Sequence, residues 1–209
     1  MGKNLYYILM ADVIGSREMD GIHLMNVLKS LIENVSADYK EVFLSPITIT
    51  LGDEFQSVIK SLSDAIDVII GIEETKLLLN SKITLRYVLY HGEIETDINE
   101  KIAHEMLGSG LTKSREILSN SKRGDNRIYV ELHNEKSGLL NGLFFLYTSI
   151  VDRWKLSDYE LVNLLIRFGD YKKAADFLKR DRGNVWRREK SLNIPQYLTI
   201  RKLIKEIAK

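Results

Sequence analysis

Residues 5–12 read LYYILMAD and residues 46–59 read PITITLGDEFQSVI, and these two stretches decide the fold. The first is a nearly continuous apolar run, which predicts a buried strand that ends at Asp12. The second alternates branched residues with threonine, turns at Gly52 and Asp53, and continues as an apolar segment, which predicts a hairpin. One aspartate is therefore expected at a strand end and the other at a hairpin tip.

Helical patterns separate these strands. Residues 23–39 and 63–79 carry apolar residues at helical spacing, and residues 83–94 predict a third long strand. The resulting order β-α-β-β-α-β predicts an α+β, ferredoxin-like domain with an antiparallel sheet and helices on one face. The further elements expected are a helix over residues 103–118 and short strands over residues 127–132 and 143–148.

The net charge of +1 hides a division between two parts of the chain. Residues 1–150 contain 15 Lys and Arg against 21 Asp and Glu, whereas residues 151–209 contain 15 against 8. We therefore expect an acidic α+β domain over residues 1–150 and a small, basic, all-α domain over residues 155–209. A basic domain suits an anionic partner, although a basic helical surface is also compatible with simple solvation.

Composition excludes several classes of protein. Cysteine is absent, which excludes disulfides and thiolate metal sites and fits a reducing, cytoplasmic location. No apolar run approaches the roughly 18 residues that a membrane span needs. The chain also lacks a P-loop, a GxGxxG motif, an HExxH motif and a Ser-His-Asp arrangement.

Asp12 and Asp53 are the residues most informative about chemistry. In this order of elements we expect the first and second strands to be neighbours, which brings the two carboxylates together. Two adjacent carboxylates repel unless a cation lies between them, and Mg²⁺ (or Mn²⁺) is held by one or two carboxylates plus substrate phosphates. The residues after Asp12 are expected to enter a helix, where free N–H groups and the helix dipole favour a phosphate. This phosphate-binding segment consists of Val13, Ile14, Gly15 and Ser16.

A structural role for both aspartates is the alternative. Asp12 is equally suited to capping the first helix, and Gly52 with Asp53 is a common turn pair. Glu54 is a further candidate metal ligand, although strand alternation places it on the opposite face from Asp53.

The basic tail predicts a helix-turn-helix. Residues 171–178 and 182–191 form two short helices, with Asp181 as the N-cap of the second and Val185 facing the core. The pattern resembles the helix-turn-helix of bacterial regulators, in which a protruding helix enters the major groove of double-stranded DNA. A helical cap that packs on the acidic domain is the alternative. The expected DNA contacts are Arg182, Asn184, Arg187, Arg188 and Lys190.

Short motifs resemble class III nucleotide cyclases. Residues 12–16 (DVIGS) are similar to the Asp-Ile-x-Gly-Phe-Ser/Thr segment of those enzymes, and residues 51–53 (LGD) to their Ile-Gly-Asp hairpin. Residues 85–93 (LRYVLYHGE) are similar to the Arg-Ile-Gly-Ile-His-x-Gly strand, and residues 108–115 (GSGLTKSR) to a shortened Val-Asn-x-Ala-Ser-Arg helix. Over essentially the whole chain the resemblance is closer to the SatD family, with its Asp-x-Ile-Gly-Ser start, its Gly-Asp-Glu-Phe-Gln block and its C-terminal helix-turn-helix.

The cyclase resemblance implies roles for three residues. Asp12 and Asp53 would be the metal ligands, and Arg115 would be the transition-state arginine, acting on the partner's metals in a homodimer. Two departures separate this chain from the cyclases: residues 45–51 contain no lysine, and Thr112 stands near the expected asparagine. Metal and nucleotide binding therefore follow from the resemblance more directly than cyclisation does.

Together these observations predict a DNA-binding regulator with a metal- and nucleotide-binding, cyclase-like domain. Its expected partners are a nucleoside triphosphate or a related nucleotide, double-stranded DNA and a second copy of the chain, without a membrane. Two alternatives remain open. One is a nucleotidyl cyclase or nucleotidyltransferase that uses two Mg²⁺ ions bound by the aspartates, and the other is a catalytically inactive interaction scaffold.

Overall fold

The computed structural model of the chain describes residues 4–50, 52–121 and 126–209. Leu51, the last residue of the predicted second strand and the first of the LGD motif, lies outside the described residues, as do residues 1–3 of the predicted first domain.

Strands and helices alternate through the first two thirds of the chain, and helices follow. The strands are β1 (Leu5–Val13), β2 (Phe43–Ile49), β3 (Glu54–Ile59), β4 (Leu85–Glu93) and β5 (Ile128–Glu131). The helices are α1 (Gly21–Asp38), α2 (Leu62–Leu78), α3 (Ser109–Asn120), α4 (Lys136–Val151), α5 (Tyr159–Phe168), α6 (Tyr171–Leu178), α7 (Arg182–Ser191) and α8 (Ile194–Ala208). Among the described residues, no helix combines the length and the hydropathy needed to cross a membrane.

The sheet has the strand order β2-β3-β1-β4-β5. Its first four strands pair antiparallel in the ferredoxin-like order, which confirms the predicted α+β architecture. β5 adds in parallel to the edge of β4, so the complete sheet is mixed rather than antiparallel. The expected pairing of the first two strands is wrong, because β3 lies between β2 and β1.

Both faces of the central strand β1 are covered. Leu9 and Ala11 belong to a core that includes α1 and α2, whereas Ile8 and Met10 face the opposite side and pack against α3. The prediction of helices on one face is therefore wrong. The physical reason is already present in β1, since a strand that is apolar at successive positions has two faces to bury.

The C-terminal helices share the larger core. Residues 143–148, predicted as a strand, lie inside α4, because a short apolar run suits a buried helix as well as a strand. α4 packs against α8, and both α5 and α8 pack against α2. Trp154, between α4 and α5, is buried, and its indole N–H donates to the Leu192 carbonyl at 2.9 Å. The division into domains at residues 150–155 stays a prediction.

Candidate functional site

Asp12 lies at the end of β1, in register with one residue on each neighbouring strand. These partners are Glu54 on β3 and Arg86 on β4. Asp12 and Arg86 are both buried, and Nη1 of Arg86 donates to the two carboxylate oxygens of Asp12 at 3.1 and 3.0 Å. A buried charge needs a partner of this kind, so the guanidinium allows an ionised carboxylate to remain at the sheet end.

Asp53 reaches the same sheet end through the β2–β3 hairpin. Gly52 has a positive φ of 72°, which glycine adopts without steric cost, and the Thr50 N–H donates to the Glu54 carbonyl at 2.9 Å to close the turn. The Val13 N–H then donates to the Asp53 carbonyl at 3.1 Å. The hairpin tip therefore lies against the end of β1. It is held there because β3, and not β2, pairs with β1.

The residues after β1 form a tight turn at this edge. The Ile14 N–H donates to the Thr84 carbonyl at 2.8 Å. Gly15 is left-handed, with φ 74° and ψ 19°, and a 3₁₀ turn follows at Ser16–Glu18. In the part of the chain that the structure describes, the N–H groups of Gly15, of the predicted phosphate-binding residue Ser16 and of Arg17 donate no hydrogen bond. Such unused N–H groups in a turn are suited to binding an anion.

The first α-helix begins later than its sequence pattern indicates. α1 begins at Gly21, and the side chain of Asp20 caps it by accepting from the His23 N–H at 2.7 Å. The prediction that residues 13–16 enter this helix directly is therefore wrong. The left-handed Gly15 and the competing cap at Asp20 separate the turn from the helix, so the helix dipole does not act at residues 13–16.

One cleft of about 660 Å³ collects these groups. A volume of this order is typical of small-molecule sites, which span about 300–1,000 Å³. Carboxylates outnumber guanidinium groups in its lining, so the cleft carries surplus negative charge. The charged lining residues are Asp12, Glu18, Asp53 and Glu54 on the acidic side and Arg17 and Arg86 on the basic side.

The carboxylates of the cleft suit a hard divalent cation whose coordination is completed by the phosphates of a bound molecule. Among the described residues, no three His, Asp or Glu side chains cluster around one metal position. Asp12 and Asp53 provide two carboxylates, the number that Mg²⁺ commonly takes from a protein when substrate phosphates complete its coordination. The residues therefore suit Mg²⁺ or Mn²⁺ arriving with a phosphate, and they do not form a closed metal site.

Sequence comparison places the chain in a family. The profile of the SatD family matches residues 6–207, nearly the full length. The chain belongs to the SatD family. No curated protein matches its sequence.

Nucleotide cyclases are among the solved structures similar to this SatD protein. A bacterial light-regulated adenylyl cyclase aligns with 14% identity and a TM-score of 0.43, over 62% of this chain and 44% of its own. The adenylyl cyclase CyaB from P. aeruginosa aligns with 11% identity and a TM-score of 0.41, over 57% and 74%. An adenylate/guanylate cyclase/hydrolase from Silicibacter pomeroyi aligns with 18% identity and a TM-score of 0.42, over 57% and 72%. The SatD chain thus spans less than half of the light-regulated enzyme.

Arg115 of the SatD chain lies on α3 and lines a different cavity, of about 540 Å³. Thr112 lines the same cavity, and Met10 and Gln56 also line it. Met10 and Gln56 pair in register two residues before the pair Asp12 and Glu54, so the two cavities are neighbours along β1 and β3. Arg115 is not among the residues that line the cleft.

The predicted DNA contacts all lie on α7, with different surroundings. Asp181 caps α7 as predicted, and its carboxylate accepts from the Asn184 N–H at 2.8 Å. Arg182 makes a two-pronged ion pair with Asp176 of α6, at 2.9 and 2.7 Å. Arg187 contacts the Asn184 side chain.

The remaining two predicted contacts differ in how they are held. Arg188 turns back to the buried Asp158, with its Nη2 at 2.5 Å from Oδ1. Lys190 lies 3.8 Å from Glu189. Among the predicted DNA contacts, Arg188 is therefore the one whose guanidinium makes the most contacts with other side chains of the described chain.

Arg86 is a site residue for which sequence reasoning predicted no role. It stands within LRYVLYHGE, a strand of mostly apolar residues, and a buried arginine in such a strand requires a carboxylate partner. That requirement was the available signal. It did not identify Asp12, because the register between β1 and β4 joins residues 74 positions apart.

Proposed function

We propose that this SatD-family protein binds a nucleoside triphosphate together with Mg²⁺ or Mn²⁺ in the cleft at the end of β1. The observation that carries the proposal is the convergence of Asp12, Asp53 and the turn after β1 on one acidic cleft. A divalent cation offsets the surplus of carboxylates, and a polyphosphate supplies the oxygen ligands that the protein lacks.

The residues of the cleft divide into binding and positioning groups. Asp12 and Asp53 would hold the metal, which when bound neutralises phosphate charge. The N–H groups of Gly15 and Arg17 would contact phosphate. Val13 and Ile14 use their own N–H groups on the Asp53 and Thr84 carbonyls, so they hold the hairpin and β4 against the turn.

Thermal unfolding with Mg²⁺ or Mn²⁺ and a panel of nucleoside triphosphates tests the proposal. A ligand that binds only the folded chain raises the free energy of unfolding by about 2.7 kcal/mol when its concentration is a hundredfold above its Kd. We expect a metal-dependent rise in Tm for the wild type that Asp53→Asn abolishes. Asp97→Asn removes the same charge at an exposed position outside the cleft and should retain the rise. An equal rise in Asp53→Asn would mean that the nucleotide binds elsewhere and would reject the site. No rise with any nucleotide would favour the scaffold alternative.

Catalysis is the stronger version of the same proposal. A cyclase or nucleotidyltransferase reaction needs a cationic side chain that stabilises the charge developing in the transition state. Arg115 is the predicted candidate, but it does not line the cleft of its own chain. Arg115 would then act from the second copy in a homodimer. Neither Asp53→Asn nor Arg115→Ala alone should form product, whereas a mixture of the two variants should regain part of the activity. Activity of Arg115→Ala alone would exclude this arrangement.

DNA binding is a second candidate function. The observation that favours it is the exposed, basic surface of α7, on which Arg182 and Arg187 follow a capped helix start. We propose that this surface binds double-stranded DNA and that the bound nucleotide modulates the affinity. Fluorescence anisotropy with duplex DNA should give binding that weakens as salt rises, because phosphate contacts release counterions. Absence of binding at low ionic strength would reject it.

A further inference from the structure

A second cavity, the junction cavity, lies between α2, the segment before β4 and the C-terminal helices. It has a volume of about 620 Å³ and is bounded by α2, the segment before β4, α4, the segment between α4 and α5, and α8. None of its lining residues lines the acidic cleft. The junction cavity is therefore a separate space, and the inference drawn from it does not rest on the proposed function.

The carboxylates that line the junction cavity already form ion pairs with arginine side chains. Arg127 donates through Nη2 to Glu73 at 2.7 Å and to Asp152 at 2.7 Å. Arg201 donates to Glu74 at 2.5 Å. Neither arginine lines the cavity. Arg127 and Lys76 together balance the charges of Glu73 and Asp152, and Arg201 balances that of Glu74.

Three lysines of the lining have donors left over. Lys76 is buried and directs two of its three N–H groups to the oxygens of Glu73, at 3.0 and 3.1 Å, which leaves one donor. In the described ranges, the ammonium groups of Lys82 and Lys155 form no ion pair. The cavity therefore offers unused positive charge, and an anion would complete it.

Aromatic side chains form one wall of the same cavity. Trp154 and Tyr147 both pack against Tyr197, with ring centroids 5.0 and 5.4 Å from its ring. The Trp154 indole is fixed by its hydrogen bond to the Leu192 carbonyl, and Tyr197 donates to Glu74 at 2.7 Å. These rings are held before any ligand arrives. Because Tyr147 and Tyr197 are fully buried behind it, Trp154 is the ring of the three that keeps some exposed surface for a planar partner.

We propose that the junction cavity binds a small planar anion, a ring that carries a phosphate or a carboxylate. The ring packs against the aromatic wall, and the anionic group accepts from Lys76, Lys82 and Lys155. Two sources share this chemistry, a nucleoside monophosphate and an aromatic carboxylic acid.

Tryptophan fluorescence tests the proposal, because one of the two tryptophans lines the cavity. Trp186 is exposed on α7 and is removed by Trp186→Phe, which leaves Trp154 as the reporter. Asp53→Asn in the same full-length chain, with EDTA present, eliminates metal-dependent binding in the acidic cleft. The probes are AMP, GMP, 4-hydroxybenzoate, adenosine and inorganic phosphate, each titrated to about 10 mM, beyond the millimolar range of weak binding.

We expect saturable quenching by a nucleoside monophosphate or by 4-hydroxybenzoate, and the probe that binds more tightly identifies the source. Adenosine and inorganic phosphate should each bind at least about tenfold more weakly, since each lacks half of the ligand. Lys82→Gln combined with Lys155→Gln should weaken binding by about tenfold or more. Both lysines are exposed, so this variant should fold, as circular dichroism will show.

A double variant of Lys29→Gln and Lys202→Gln serves as the control, because it removes two exposed lysines outside the cavity. It should bind like the parent. The proposal is overturned if no probe quenches Trp154 saturably, if adenosine binds as tightly as AMP, or if the two double variants lose affinity equally.

Discussion

Glu73 and Asp12 are both buried carboxylates held by arginine, but their surroundings differ. Glu73 accepts from Lys76, from Arg127 and from the Tyr87 hydroxyl, the last two at 2.7 Å. Burial alone would raise the pKa of Glu73, and the charges of Arg127 and Lys76 outweigh that effect and lower it to about 2. Glu73 borders the junction cavity, but its carboxylate is surrounded by hydrogen-bond donors.

Asp12 borders a cleft whose neighbouring charges are different. Arg86 neutralises its charge, yet Asp53, Glu54 and Glu18 line the same cleft and leave it acidic. A buried carboxylate surrounded by donors thus stabilises the fold, whereas one among other acids marks a place for a cation. The two regions are also connected, because Arg127 donates to the Leu85 carbonyl at 3.0 Å, next to Arg86 in β4.

Removing the charge of Glu73 should cause the largest loss of unfolding free energy. Glu73→Gln leaves Lys76 buried without its counter-charge and leaves Arg127 with Asp152 alone, and an uncompensated buried charge typically costs about 3–5 kcal/mol of unfolding free energy. Chemical denaturation of the purified variants measures the loss. Glu74→Gln, one residue along α2 at a more exposed ion pair, is the matched control and should lose about 1 kcal/mol or less. Equal losses at the two positions would contradict the distinction.

Lowering the pH should gradually remove the contribution of Glu73 to stability. Because the pKa of Glu73 is lowered from its ordinary value of 4.5 to about 2, its contribution to stability is complete above pH 4.5. That contribution disappears as the pH falls from about 4.5 to about 2, and it amounts to about 3 kcal/mol. We expect the wild type to lose more stability over this interval than Glu73→Gln does. Parallel pH profiles of the two proteins would show that Glu73 is not the group that titrates.

The acidic cleft should respond more weakly, and its two aspartates should respond differently. In EDTA, Asp12→Asn weakens a buried, charge-assisted contact with Arg86 and should lower the unfolding free energy by about 1–3 kcal/mol. Asp53→Asn, at a less buried hairpin tip, should change it by no more than about 0.5 kcal/mol. Denaturation curves in the absence of ligand measure both. A loss at Asp53 as large as that at Asp12 would make Asp53 a structural turn residue.

Local signals explain which features could be predicted from the sequence. The apolar run that ends at Asp12 and the turn at Gly52 and Asp53 each depend on neighbours within a few residues, and the structure contains both. The cap at Asp181 and the buried Val185 are equally local, and both are observed.

Contacts between distant parts of the chain explain which features could not be predicted. The neighbours of β1 depend on the order in which the sheet assembles, and the covering of its second face depends on α3. The pair Glu73 and Arg127 joins residues 54 positions apart, so no local pattern names the counter-charge. Residues 143–148 lie in α4, which packs against α8, and the sequence of these six residues alone does not distinguish this helix from a strand.

The smallest expected effect on stability concerns the exposed pair of Asp176 and Arg182, which joins α6 to α7. The charge of Asp176 holds Arg182 at the start of α7, where the guanidinium would otherwise be available for a DNA phosphate. Asp176→Asn should leave Tm unchanged, because exposed ion pairs contribute little. If α7 binds DNA, the variant should bind several-fold more tightly, with a salt dependence steeper by about 0.9 in log Kd against log salt concentration, as one added phosphate contact requires.

Glu206→Gln is the matched control for Asp176→Asn, because it removes the same charge from α8 at its exposed pair with Lys209. Its effect on DNA affinity reports only the change in net charge. Fluorescence anisotropy at several salt concentrations measures both variants. A larger gain for Asp176→Asn would assign the contact to the start of α7. Equal gains would mean that the basic tail attracts DNA through its overall charge alone, and the contacts proposed for Arg182 would then be wrong.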